Sequence, residues 1–363
     1  MAMAASIAAT AQIKVTTPQG DLKFRLIGRT SLDLGTYLGT EGKANRNGAS
    51  VNDTRLGFVA DMDTTWQAKV EICFTGGKIS FRDVYVQRQF CGGHRTLTIG
   101  NQFMPFGLKP AGLAYKFIET SASDYTFTSS RKLGAMYGVN RAKYNFSAGL
   151  FYDGNIDSKG TNEGWDLAAQ FIARPVDHDG TILHFGVSPI FTHPRSTVSY
   201  NAFVPTTVNS NKRIATGEMG AYNYGRFEAQ ALYILRRFYV EARYQMVAVN
   251  RPNEVKMAED VTVTQDNYSA HGIMCQASFL LLGKQQNYNR KTALAANPDA
   301  KSLEILARYC QTDLDDYGTV NDITVGLNYY FNKYLRTKIN YVHSTIKDGD
   351  GINMLEGRMQ FSF

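Results

Sequence analysis

Between Leu22 and Gly39 the chain alternates without interruption. Leu22, Phe24, Leu26, Gly28, Thr30, Leu32, Leu34, Thr36 and Leu38 share one face; Lys23, Arg25, Ile27, Arg29, Ser31, Asp33, Gly35 and Tyr37 share the other. A period of two over this length predicts a β-strand with one apolar and one charged face. Strands of soluble sheets run to about five or six residues. A tilted strand that crosses a bilayer needs about ten, with lipid on its apolar side. One such strand also suits the edge of a soluble sandwich, so repetition of the pattern has to decide.

The pattern repeats. Alternating segments follow at 51–62, 66–74, 79–88, 95–104, 133–140, 142–152, 165–174 and 183–191, and then at 222–234, 238–249, 267–282, 302–312, 322–331, 335–343 and 352–363. Sixteen strands result, an even number that suits a closed antiparallel up-and-down transmembrane barrel over 12–363. In 79–88 the apolar face is contested by Ile79 and Phe81 on one phase and Val84 and Val86 on the other, which suggests a bulge. The joins alternate in length: those at 63–64, 235–237 and 332–334 are short, and those at 39–50, 105–132, 153–163, 192–221 and 250–266 are long and polar. Short turns opposite long loops is the outer-membrane arrangement. Segment 283–301 breaks the rule, being long on the short-turn side; either it folds into the lumen or the strand count is off by one hairpin.

Composition sharpens this picture. In 363 residues, hydrophobic content is 44% and mean hydropathy −0.28, values that alternation hides in any window. No run approaches the roughly 18 apolar residues of a membrane-spanning helix. Tyr and Phe number 21 each and Gly 32, a mix that suits aromatic girdles and loops. Residues 1–11, Ala-rich with Ala9-Thr10-Ala11 resembling a cleavage site, read as a truncated signal peptide or tail. Cys73, Cys91, Cys275 and Cys310 are widely separated, so free thiols are expected and no metal or cofactor site is. Net charge is +7, which points to an anionic partner. No zinc-finger, helix-turn-helix or RNP-like pattern supports nucleic acid. No HExxH, G-x-S-x-G or P-loop is present, and no Ser-His pair can be assembled on one face for a membrane lipase or protease, so the chain reads as no enzyme. His184 is expected to face the lumen, solvated.

The chain ends on Met359-x-Phe361-x-Phe363, an aromatic terminus on an amphipathic strand that resembles the insertion signal of bacterial barrels. YVQRQF with LTIGNQFMPFGL, then FIETS, Arg131-Lys132-Leu133-Gly134, QASFLLLG, LEILARY and DITVGLNYYFNKYLRTKINYVH occur in an order similar to the phosphate-selective porin O and P family. That resemblance implies a trimeric sixteen-stranded porin of the bacterial outer membrane, with a basic lumen, inward-folded loops and small anions, phosphate or polyphosphate among them, as solutes. Thr120 stands where it implies a basic residue.

Charge on the lumen faces supplies the candidate site. A Lys or Arg on the lipid face at mid-bilayer costs ~2–4 kcal/mol, so inward charge is partly compelled by the fold. Lys23, Arg25, Arg29, Arg55, Arg336, Lys338 and Arg358 are expected to form a ladder on one wall, with Arg55 nearer the outside than Arg29 and with Asp33 and Glu356 as its main acids. Segment 105–132 is too long for a hairpin turn; Lys109, Glu119 and Arg131 are expected to line or brace a constriction there. The alternatives are a non-selective or sugar-permeable channel, or a barrel whose loops 192–221 and 250–266 dock a surface protein.

Overall fold

The computed structural model describes residues 12–17, 20–38, 47–63, 65–108, 116–128, 130–154, 164–178, 180–195, 197–206, 212–252, 254–258, 261–264, 266–347, 349 and 351–363. Segment 1–11 and Lys109 lie outside them. Sixteen strands form one closed antiparallel barrel. They are β1 (Gly20–Leu38), β2 (Gly48–Asp61), β3 (Trp66–Cys73), β4 (Ser80–Phe90), β5 (Arg95–Phe103), β6 (Arg131–Asn140), β7 (Tyr144–Asp153) and β8 (Gly164–His178). The other half comprises β9 (Thr181–His193), β10 (Asn223–Leu235), β11 (Phe238–Asn250), β12 (Tyr268–Leu282), β13 (Ser302–Asp313), β14 (Thr319–Tyr330), β15 (Leu335–Ile346) and β16 (Gly351–Ser362). Each pairs with its chain neighbour, and β16 closes on β1 from Arg29↔Ser362 to Leu38↔Asn353. The pattern-derived strands correspond to these sixteen one for one.

Alternation sets the two faces. On β1, Leu32 and Leu34 are 55% and 64% exposed, whereas Ser31 and Asp33 between them are 0% and 2%. The outer face repeats this around the barrel with Phe58, Ile99, Leu150, Phe185, Ile305 and Ile339, an apolar belt suited to a bilayer. Two phase changes obey the same rule. On β2, Asp53 takes a positive φ of 51° and the register shifts between Arg29 and Ser31, which keeps both Val51 and Leu56 outside. On β4 the contested phase is a bulge: the register shifts between Val70 and Ile72, and Phe81 and Val86 both stay exposed.

The seam is finished by both ends of the described chain. Phe363 exchanges backbone hydrogen bonds with Gly28 at 3.0 and 2.9 Å, and a Cβ at residue 28 would sit 2.6 Å from the Phe363 ring. Glycine there lets the terminal ring lie flat over the joint; any side chain would displace it. Just past Phe363, a short strand, Gln12–Thr17, takes over the same edge of β1, from Arg25 to Gly20. Together with β16 it covers an edge that would otherwise expose unpaired backbone groups.

Candidate functional site

Three connections fill much of the interior. The first is 104–130, between β5 and β6. Met104 and Phe106 are buried against Phe151, Ala168 and Ile190. The Gly107 amide donates to Ser188 Oγ at 3.1 Å, and Gln170 donates back to the Gly107 carbonyl at 2.9 Å. Farther on, four successive carbonyls are each held by a different strand. Asn328 of β14 donates to the Lys116 carbonyl at 2.7 Å, and Lys338 of β15 to that of Phe117 at 3.0 Å. Arg358 of β16 donates to the Ile118 carbonyl at 2.7 Å, and Arg308 of β13 to that of Glu119 at 2.9 Å. Residues 116–119 are bends outside any helix or strand ladder, and a buried unpaired carbonyl costs about 1–3 kcal/mol, so these side chains determine where the loop lies.

The loop then turns into a short helix, α1 (Ala122–Phe127), capped by Ser121, whose hydroxyl accepts from the Asp124 amide. Asp124 pairs with Arg243 of β11 at 2.6 Å, and Cys310 packs under Ser123. Among the described residues, the side-chain hydrogen bonds and ion pairs that this loop sends out to the rest of the barrel, from Gly107 to Thr126, go to β8–β16 and to the other two inserts. None goes to β1–β5.

The second insert is 194–222. It turns inward rather than outward: Tyr200 and Met219 pack with Phe127, Val247 and Tyr268, and Val204 reaches Tyr37, Val342 and Met354. Thr126 Oγ1 of α1 donates to the Asn201 carbonyl at 2.9 Å. The third is 283–301, which resolves the parity conflict: the strand count stands and the long turn folds into the barrel mouth. It forms a small hairpin, Asn287–Asn289 with Leu294–Ala296. Tyr288 and Leu294 pack on Leu108, Ile182, Leu232 and Tyr239, while Arg290 pairs with Asp177 through contacts of 2.9 Å. His184 is therefore not solvated. It is 0% exposed, bonded to the Tyr288 hydroxyl at 2.8 Å and to Gln230 at 3.0 Å. Where loop and turn meet, Lys116 bonds Gln286 at 2.7 Å and Glu304 at 2.5 Å. Beside the loop lies a small cavity of ≈ 30 Å³, bordered by Lys116, Glu241, Arg243 and Arg308.

The uncovered wall, β1–β5 with the start of β6, carries a continuous ion-pair array. Arg25 meets Asp61 at 3.4 Å, and Arg29 and Arg55 share Asp53 at 2.6 and 2.5 Å. Glu71 lies 3.8 Å from Arg55 and 3.4 Å from Lys69. Lys69 meets Asp83 at 2.5 Å, and Arg131 bonds Asp83 and lies 4.0 Å from Glu71. Five cations thus share four carboxylates. Across from them, Glu119 presents a side chain that is 29% exposed and 3.4 Å from Arg358.

The structure divides the expected ladder in two. Lys23, Arg25, Arg29 and Arg55 stand on the open wall, and Arg131 joins them. Arg336, Lys338 and Arg358 are set apart by their partners rather than by exposure, since Arg29 at 9% is nearly as buried as Arg358 at 7%: Lys338 and Arg358 bond carbonyls of the loop. Arg336 bonds Gln360 at 2.9 Å, and Arg358 bonds Asp33 at 2.7 and 2.8 Å as well as the loop. Arg55 is not nearer the outside than Arg29; the two are register partners, because the Asp53 bulge ends the regular ladder there. Glu356 meets Thr206 of the second insert at 2.6 Å. Asp53 was missed by alternation alone, although the parity change from Val51 to Leu56 marks the extra residue. Lys116 carries no sequence signal that separates it from any loop lysine.

Solved structures share this architecture at low identity. The outer-membrane protein OmpT of Vibrio cholerae matches with a TM-score of 0.61 and 12% identity, covering 97% of this chain and 100% of that one. OprB of Pseudomonas putida gives 0.61 and 9%, covering 94% of each chain. An anion-selective porin from Comamonas acidovorans gives 0.59 and 13%, covering 94% of this chain and 100% of that one. A search of curated protein sequences finds no match. The model of the phosphate-selective porin O and P family matches residues 24–363, nearly the whole chain; this is a member of that family, an outer-membrane porin of bacteria.

Proposed function

We propose that this porin passes small anionic solutes by passive diffusion, along a path bounded by the β1–β5 wall on one side and the loop 104–130 on the other. The observation that carries the reading is the array itself. Arg25, Arg29, Arg55, Lys69 and Arg131 exceed their four carboxylate partners by one charge, with Lys23 at the rim in addition. A unit charge at ~4 Å is worth about 1 kcal/mol in bulk water, or roughly fivefold in occupancy. The preference is therefore modest, and paired cations release an anion as readily as they admit it. Lys338 and Arg358 act on solutes only through the loop they hold, and Arg336 is taken up by Gln360. The sequence Glu119-Thr120 puts an acid and a hydroxyl where a phosphate trap would need a further cation, so small anions in general, phosphate included, are the solutes proposed.

Assembly as a homotrimer belongs to the same proposal. It is supported by the family and by the Vibrio cholerae OmpT, which has been solved in a trimer form. In planar bilayers, purified protein should give stepwise conductance and, in a KCl gradient, a zero-current potential of the sign for chloride preference. Absence of steps would favour a structural barrel; potassium preference would overturn the anion reading.

A further inference from the structure

The two rims differ in charge in a way that the channel does not require. The connections on the periplasmic side, the 283–301 insert included, hold nine Lys and Arg against three Asp; the external connections hold twelve against fourteen acids. On the periplasmic rim every cation but the half-buried Arg141 is exposed, and Arg236, Arg237, Lys284, Lys291 and Lys333 make no ion pair among the described residues.

Their depth is fixed by the aromatic belt. Arg88 pairs across the sheet with Trp66, whose ring faces outward, and its guanidinium lies 5.2 Å from that ring and 4.9 Å from Phe90. Lys333 lies 4.7 Å from the Tyr334 ring, one turn from Phe331 and the terminal Phe363, both exposed on the outer face. Aromatic rings of this kind sit at the headgroup level of a bilayer, and cations beside them extend to the phosphate plane. A soluble partner below the barrel could not reach the outward face that carries Arg88.

We infer that this collar binds the headgroups of anionic phospholipids in the inner leaflet of the outer membrane. The lipid phosphodiester is a monoanion with no need of a closed pocket, and a ring of unpaired, exposed cations at its depth is what recognises it. The inference is independent of which solute the channel passes.

The test is retention of lipid by the intact purified porin. Protein equilibrated with mixed phosphatidylglycerol and phosphatidylcholine is analysed for bound lipid by native mass spectrometry. The wild type should retain phosphatidylglycerol preferentially. A variant with Arg236→Gln, Arg237→Gln and Lys333→Gln should lose most of that preference, at about fivefold for each cation engaged. An external control with Lys78→Gln, Lys212→Gln and Lys347→Gln should keep it. All six residues are exposed, and the boiling-dependent shift of the barrel on gels confirms that each variant is folded. Equal retention of the two lipids, or a preference that survives in the periplasmic variant, would overturn the inference.

Discussion

Deleting residues 112–128 should raise single-channel conductance at least about twofold, because a sixteen-stranded barrel otherwise leaves an open aqueous channel. The loop bonds side chains on the lumen face from β8 to β16. Its removal also releases the side chains that hold it. Lys338 and Arg308 lose the carbonyls of Phe117 and Glu119, and Arg243 loses Asp124. Those cations then face water, so chloride preference should rise together with conductance. The strands do not depend on the loop for their pairing, and the heat-dependent gel shift should persist. Unchanged conductance would place the loop outside the current path.

Substituting Arg25→Ala, Arg29→Ala and Arg55→Ala together should reverse the selectivity rather than merely weaken it. The wild-type wall has five cations on four carboxylates. The triple variant leaves Lys69 and Arg131 against Asp53, Asp61, Glu71 and Asp83, with Asp53 and Asp61 stripped of every partner in the array. Two uncompensated negative charges in a narrow lumen favour potassium by the same arithmetic that favoured chloride. The change of sign should be largest at low salt, where screening is weakest. Selectivity unaltered in the triple variant would mean that this wall does not face the permeating ion.

The barrel was readable because alternation is imposed by two solvents, and each strand must obey it by itself. Even the bulges at Asp53 and between Phe81 and Val84 leave parity changes, Val51 to Leu56 and Phe81 to Val84, that can be found in the letters. The long loop 104–130 and the misplaced turn 283–301 announce themselves by length. What alternation cannot supply is register, and register decides that Arg29 and Arg55 stand side by side over one carboxylate. It also cannot tell a cation that meets solute from one that meets backbone. Lys338 and Arg55 have the same inward parity, yet Lys338 is spent on the Phe117 carbonyl. Carbonyls are present at every residue and leave no trace in sequence, so the division of the ladder was visible only in the fold. His184 shows the same limit: its facing followed from parity, its burial from a turn more than a hundred residues away.

On the proposed path, solute passes between the β1–β5 wall and the loop, never behind it. The most direct measurement is thiol accessibility under current, in protein whose four native cysteines are replaced by serine. A bulky neutral maleimide should lower the conductance of the Arg55→Cys protein, because Arg55 borders the open path. The same reagent should leave a Thr324→Cys protein unaffected, since Thr324 is 0% exposed on the lumen face of β14 behind the loop. Block at residue 324 with none at residue 55 would contradict the account.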